Sequence, residues 1–468
     1  MNSSAKISIS LSLFSLFLTA CGGGSGSSST TATPNDTPAH LTLKFEQDIY
    51  SPSISANDQT QAVVAWRQNT NERLTVYTSL FDGTNWTDAE QIDSDTHLDA
   101  TLIQTAINAS GDAIVAWVQW DDSNARYNVW ANLYTSSTAS WLTTPFQVNQ
   151  NTEGNALFPS VAINDAGNAI VIWSYTNTIT QRSHVMTRHY LDSAWASNTS
   201  QLSDADNYTS QPQIRLNNNN TAIAVWDQLS NGWRNIYSNT YDGSTWGSST
   251  PIENNDQGHA SPPKIAANSE GDLHVVWHQA DGEAEQIWHN YYDDSTSEWA
   301  TAQRIDSEDD HDAQHPHIAL DNAGNRLVVW LQADPEEEKD SVWANHFSPD
   351  EGWGEAILIE DNDATHAYTP KIAYSADGHG IAAWIQKPED IKDAKVHTNR
   401  FDPETNEWDE NKILCHAQNH FATSPRLGGN ANSFTLIAWE FSGDSSDECG
   451  NTSQTQTTPH RIQIGWLN

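Results

Sequence analysis

An apolar run closed by tryptophan recurs eight times in this chain and restricts its fold more than any other feature. The tryptophans are Trp66, Trp117, Trp173, Trp226, Trp277, Trp330, Trp384 and Trp439, spaced 51 to 56 residues apart. The same grammar surrounds each of them. In the copy from Pro263 to Ile305, P-K-I-A-A passes through a polar turn to L-H-V-V-W, then to Q-I-W-H-N-Y-Y, and past Trp299 to A-Q-R-I. The second run, as in Ala169-Ile170-Val171-Ile172-Trp173, has no alternation, so both of its faces are covered. No segment holds a helical period, and the chain reads as all-β.

A period near fifty with several strands per copy predicts an eight-bladed β-propeller of four-stranded blades, with seven blades as the alternative count. The first strand follows a proline in seven copies: Pro52, Pro159, Pro212, Pro263, Pro316, Pro370 and Pro425. The eighth copy ends after its third strand, Arg461 to Leu467, while Leu41 to Glu46 precedes the first copy where a fourth strand would stand. The N-terminal strand is therefore expected to complete the last blade and remove an exposed edge.

Residues 1–20 carry Lys6 and a short apolar run, Ile7 to Thr19, with the layout of a secretory signal. Its end, Leu18-Thr19-Ala20-Cys21, resembles the lipobox of bacterial lipoproteins. That resemblance implies cleavage before Cys21 and acylation there; an ordinary signal with an incidental cysteine is the alternative. Gly22, where inner-membrane members of that group carry Asp, implies the outer membrane. Several acyl chains give a stable lipid anchor, periplasmic or surface-exposed. Residues 21–40 are otherwise mostly Gly, Ser, Thr and Pro with almost no apolar residue, a tether with a reach of roughly 20–25 Å. The propeller domain is expected over 41–468.

Lys plus Arg number 21 against 61 acidic residues, a net charge of −40. Such a surface repels nucleic acid and polyanions unless a local patch reverses its sign. No GxxxxGK[ST], HExxH or paired CxxC pattern occurs, and no cofactor is expected.

Two turns resemble those of known propellers. Tyr374-Ser375-Ala376-Asp377-Gly378 is similar to TolB-type repeats, and Asp82-Gly83-Thr84-Asn85-Trp86 and Asp242-Gly243-Ser244-Thr245-Trp246 resemble the Asp-box hairpins of sialidase-like propellers. The resemblance implies architecture. It does not carry sialidase activity, because the Phe-Arg-Ile-Pro motif and an arginine triad are missing.

Strand order collects the long loops on one face, where binding usually lives. Cys415 and Cys449 fall there in the last blade and read as a disulfide, with free thiols or a metal pair with His416 as alternatives. Of 18 histidines, 14 lie from His259 onward. His311, His315 and His317 have a spacing a transition metal can use, although solvated histidine is the plainer reading. The position after the first-strand proline holds Ser53, Gln104, Ser160 and Gln213, then Lys264, His317, Lys371 and Arg426. These four basic residues form either an anion-binding arc or inter-blade pairs with the abundant acids. Trp120 and Trp233 lie outside the repeat pattern, in loops of the long-loop face, and either stack on a sugar ring or pack on a neighbouring blade.

The reading that follows is a non-enzymatic, membrane-anchored module that binds a glycan, peptide or partner protein. The alternative is a carbohydrate-active enzyme, a glycosidase or a polysaccharide lyase. A lyase would need His, Tyr and a cation against the acid group of its substrate.

Overall fold

The computed structural model describes residues 41–43, 48–70, 72–94, 99–150, 153–204, 208–254, 258–267, 272–282, 284–306, 311–333, 339–360, 365–375, 378–387, 394–414, 421–429, 435–442 and 461–467. All regular structure among them is β, in eight antiparallel sheets. Each of the first seven sheets opens with three consecutive strands; in the first they are Ile49–Ala56, Ala62–Thr70 and Arg73–Phe81. The fourth, outermost strand is shorter than expected. It breaks into fragments such as Ser140–Trp141 and Phe146–Gln147, both paired with Arg126–Thr135. Very short edge strands leave little ladder for another chain to extend.

The hairpin before each fragment is pinned by an aromatic pair. Phe81–Trp86, Tyr134–Trp141, Tyr190–Trp195, Tyr241–Trp246, Tyr292–Trp299, Phe347–Trp353 and Phe401–Trp408 have ring centroids 5.2 to 5.5 Å apart. In the Asp-box-like turns, the Asp82 carboxylate accepts from the backbone N–H groups of Thr84 and Asn85, and Asp242 does the same for Ser244 and Thr245. Those bonds hold Asp242 down at about 2.

The eight repeat tryptophans are all fully buried. In six of them the indole N–H donates to the glutamine two residues on, at 2.6 to 3.3 Å, as Trp117 does to Gln119. The repeat signature is thus Trp-x-Gln. Where Tyr175 or Phe441 replaces the glutamine, the indoles of Trp173 and Trp439 have no partner among the described residues.

Successive sheets pack face to face through apolar clusters. Val63 and Ala65 of the first sheet meet Val115 and Trp117 of the second, and Ile381 and Ala383 of the seventh meet Ile437 and Trp439 of the eighth. Leu436, Ala438 and Ile464 of the eighth sheet in turn share a cluster with Ile54, Val64 and Trp66 of the first. Residues Leu41–Leu43 pair antiparallel with the last strand, Leu41 opposite Ile464 and Leu43 opposite Ile462, in the fourth place of the eighth sheet.

The first strands share one irregularity. Their register against the second strand slips just before Ser53, Gln104, Ser160, Gln213, His317, Lys371 and Arg426. Two residues earlier, Ser51, Leu102, Phe158, Gln211, His315 and Thr369 have φ between +38° and +54°. A bulge leaves one residue outside the ladder, so the proline between these positions forfeits no hydrogen bond. The fifth sheet departs from this. Pro262 occupies the positive-φ position, which a locked ring cannot adopt, and the strand is only Lys264–Ala267.

Candidate functional site

Six first strands end around one cavity of about 460 Å³, lined by Ala56, Ile107, Ile163, Leu216, Ala267 and Leu320. The first strands therefore face a common interior. The cavity wall also carries Asp58, Asp165, Asp242, Asp294 and Arg215, while Lys264, His317, Lys371 and Arg426 do not line it; Lys264 and His317 stand three residues before Ala267 and Leu320 on their strands, and burial shifts the pKa of all four. Burial and then Arg426 and Lys264 bring Lys371 down to about 7. Burial and then Arg426 lower Lys264, while Asp227 opposes them. Burial and four cations hold the His317 imidazole well below its usual range, so it is neutral. The fourth of those cations is Arg215, two residues beyond Gln213 on the fourth sheet, whose guanidinium donates to the carbonyls of Ile214 and Ile265. Arg215, which lines the cavity, and Arg426 both keep exposed surface, and desolvation lowers the pKa of each.

No carboxylate stands within 4.0 Å of Lys264, Lys371, Arg215 or Arg426 among the described residues. Lys371 donates to the Pro370 carbonyl at 3.0 Å, and the His317 Nδ1 accepts from the Ile372 backbone N–H at 3.4 Å. Pairing with acids of adjacent sheets is not what holds them.

A second cluster lies between the fifth and sixth sheets, and the repeat itself makes it visible. Three residues before each repeat tryptophan stand Val63, Ile114, Ile170, Ile223, Leu327, Ile381 and Leu436, but His274 in the fifth sheet. The third-strand residue opposite the pre-tryptophan position is Thr78, Ala131, Thr187, Ser238, Ala344, Thr398 or Ile464 elsewhere, but His289 there. Four residues before the tryptophan the chain carries Ala, Leu, Gly or Thr, except for Arg326 in the sixth sheet.

These three exceptions meet. His274 Nδ1 and His289 Nε2 lie 3.0 Å apart with their rings stacked at 5.2 Å. The His274 ring is 5.5 Å from that of Tyr291, its cross-strand partner. Arg326 lies over the Phe347 ring at 3.7 Å and over Tyr291 at 5.7 Å. Burial, then Arg326, depresses His289 to about 3; burial, then Arg326 and His289, pushes His274 lower still. Both imidazoles are neutral at physiological pH. Tyr374, at the end of the seventh sheet's first strand, is 2% exposed, and its hydroxyl has no hydrogen-bond partner among the described residues. Burial and then Asp321 raise its pKa, while Arg326 opposes them. Tyr291 itself is open to solvent at 39%.

The other expected residues separate. His311, His315 and His317 do not form a metal centre, and no group of three or more His, Cys, Asp or Glu converges among the described residues. The bulge aims His315 at His278, with rings 5.8 Å apart, and His317 at the neighbouring strand. Trp120 and Trp233 sit on strands rather than in loops. Trp120 packs edge-on against Tyr127 at 4.8 Å and lines a groove of about 530 Å³ with Arg67 and Arg73. Trp233 packs on His259 at 5.1 Å. Cys21, Cys415 and Cys449 lie outside the described residues.

No family model matches this chain, and no curated protein matches its sequence. Solved structures do resemble it. The polysaccharide lyase Uly1 is 9% identical with a TM-score of 0.50 over 92% of this chain and 99% of that one. An ulvan lyase bound to -[GlcA(1-4)Rha3S]- is 11% identical, TM-score 0.48, over 77% and 95% of the two chains. The leech intramolecular trans-sialidase is 11% identical, TM-score 0.40, over 86% and 89%. At such identities the likeness to Uly1 speaks to the fold alone, and that fold is a β-propeller.

Proposed function

We propose that the protein is a carbohydrate-active β-propeller that cleaves an acidic polysaccharide by β-elimination at the cluster between the fifth and sixth sheets. The observation that carries this is the coordinated exception of His274, His289 and Arg326. Three positions that are apolar or small in every other sheet hold two neutral imidazoles in contact and a cation that reaches the same Tyr291 ring as His274. Breaks of a repeat's own rule that converge on one spot are expected at functional sites. The chemistry needs a positive group to neutralise the uronate carboxylate, a base for the proton beside it and an acid for the departing sugar oxygen. On this reading Arg326 faces the carboxylate, the neutral histidine pair takes the proton and the exposed Tyr291 hydroxyl supplies one to the leaving oxygen. The fold shared with a polysaccharide lyase is compatible with that activity without requiring it.

Incubation with uronate-containing polymers, followed by the absorbance of the unsaturated product, tests the reading. Arg326→Met and His289→Thr should each cut the rate by about 10²–10⁴-fold. Failure of the unaltered protein to generate unsaturated ends on any acidic glycan would overturn it. A second reading, a glycan-binding module, rests on Trp120, whose groove joins an aromatic face to two arginines. Retained glycan affinity without cleavage, lost in Trp120→Ala, would favour it.

We further propose that the eight sheets are blades of one ring, closed by residues 41–43 in the last blade, and that Cys21 anchors it to the outer membrane. Labelled fatty acid should enter the protein and fail to enter Cys21→Ser; equal labelling of both would refute the anchor.

A further inference from the structure

The basic residues of the first strands raise a question the proposed cleavage site does not answer. The chain carries 21 Lys and Arg against 61 acids, yet Arg215, Lys264, Lys371 and Arg426 stand on the first strands of the fourth, fifth, seventh and eighth sheets without an ion pair among the described residues. Two have an acid in the neighbourhood. Asp227 raises the pKa of Lys264, and Glu440 raises that of Arg426. Both acids are already engaged: Asp227 binds the Ser210 hydroxyl and Arg234, and Glu440 accepts from the Ser51 backbone N–H. Lys371, in the middle, feels only other cations. Like charges held together away from bulk water cost free energy unless something of opposite sign joins them.

We propose that these first strands form an oxyanion-binding site, in which Lys371, Lys264 and Arg426 hold a sulfate, phosphate or carboxylate group. On the first four sheets Ser53, Gln104, Ser160 and Gln213 occupy the equivalent positions, and the cation there, Arg215, stands two residues further along its strand. Ser53 and Ser160 are committed to the next sheet, through the Thr105 hydroxyl and the Ile214 backbone N–H. The charge is therefore one-sided, and an anionic group should sit toward the fifth to eighth sheets. Three cations set by the first strands of the fifth, seventh and eighth sheets match one compact anionic group, so the ligand is a small ion or the acidic end of a short molecule. This site is distinct from the His274–Arg326 cluster, and it stands whether or not that cluster cleaves glycans.

The test uses the purified full-length chain with sodium sulfate, sodium phosphate or sodium glucuronate, each balanced with sodium chloride to constant ionic strength. Saturable binding by calorimetry is expected for at least one of the three, and which one binds distinguishes an inorganic ion from a sugar acid. Lys371→Met with Arg426→Gln should weaken it at least tenfold. The same double variant should melt higher than the unaltered protein in chloride alone, because it removes uncompensated repulsion. A purely structural role predicts the reverse, a lower melting temperature and no change in anion response.

The unaltered protein supplies a check that needs no variant. Affinity should fall as pH rises through about 7, where Lys371 loses its proton. The groups that face it are Lys264, Arg426, His315 and His317, with Arg215 beyond His317, Asp227 near Lys264 and Glu440 near Arg426. None of the cations among them deprotonates in that window in a way that would increase anion affinity. Absence of saturable binding for all three anions, or equal binding in the folded double variant, would overturn the proposal.

Discussion

Returning the His274–His289 pair to the residues the repeat uses elsewhere separates function from stability. The third sheet carries Ile170 opposite His189 with Thr187 at the neighbouring position, and the seventh carries Ile381 with Thr398. The perturbation is therefore His274→Ile with His289→Thr. Burying an isoleucine in place of a histidine contributes about 1.5–3 kcal/mol of apolar transfer. Alone, His274→Ile leaves the His289 Nε2 without its partner at 3.0 Å, and stranding a buried polar group costs about 1–3 kcal/mol, on top of a bond worth about 1. The single change is expected to be close to neutral or destabilising. His289→Thr removes the stranded group, at the expense of its ring contact with Trp353 at 5.0 Å.

The double variant should therefore be more stable than the natural chain by about 1–2 kcal/mol. The coupling between the two substitutions should be favourable by about 1–3 kcal/mol, within the range for residues in contact. If the sheets melt together, roughly 2.1 cal/mol/K per residue turns that gain into a rise of only about 1–2 °C. The rank order of the four proteins by calorimetry is thus the decisive readout, with loss of product formation beside it. A double variant less stable than either single one would show that the pair holds the two sheets together. The inference from a broken repeat to a functional site would then fail.

Acid should destabilise the protein through its buried histidines. His189 and His278 sit at about 4 and His289 at about 3 when folded, against about 6.5 unfolded. Below pH 6.5 the unfolded chain takes up protons that the folded one refuses, so stability falls as pH drops toward 4, by up to about 1.4 kcal/mol per pH unit for each group. Melting temperature followed against pH checks this, and the double variant should show a shallower acid limb. Gln119→Leu should cost about 1–3 kcal/mol, since it strands the fully buried Trp117 indole N–H now bonded at 3.2 Å; an unchanged denaturant midpoint would contradict it. Removing Leu41–Leu43 should lower the melting temperature far more than removing residues 22–40, because it strips a paired strand from the eighth sheet; equal melting would mean that pairing is dispensable.

How much of this was visible in the sequence depends on whether a residue obeys the repeat or breaks it. The tryptophan period exposed the sheets because a buried indole at one strand position is the same physical demand eight times over. The basic positions could be picked out because, in seven copies, proline marks the start of the first strand and they follow it. Arg215 escaped that rule, since it lies two residues further along the strand. The histidines at 311–317 have a spacing a metal can use, with solvated histidine as the plainer reading. The left-handed residue at His315 parts them.

The cluster at His274, His289 and Arg326 went unread for a different reason. Its members are 15 and 37 residues apart in sequence, at positions with no motif spacing. Counted from the repeat tryptophans, however, His274 stands three before one and Arg326 four before the next, and each is foreign there. The signal was present as a violation of pattern. It becomes chemistry only when adjacent sheets bring the violations into contact, because a buried polar group that contradicts its seven counterparts persists only if something other than stability retains it.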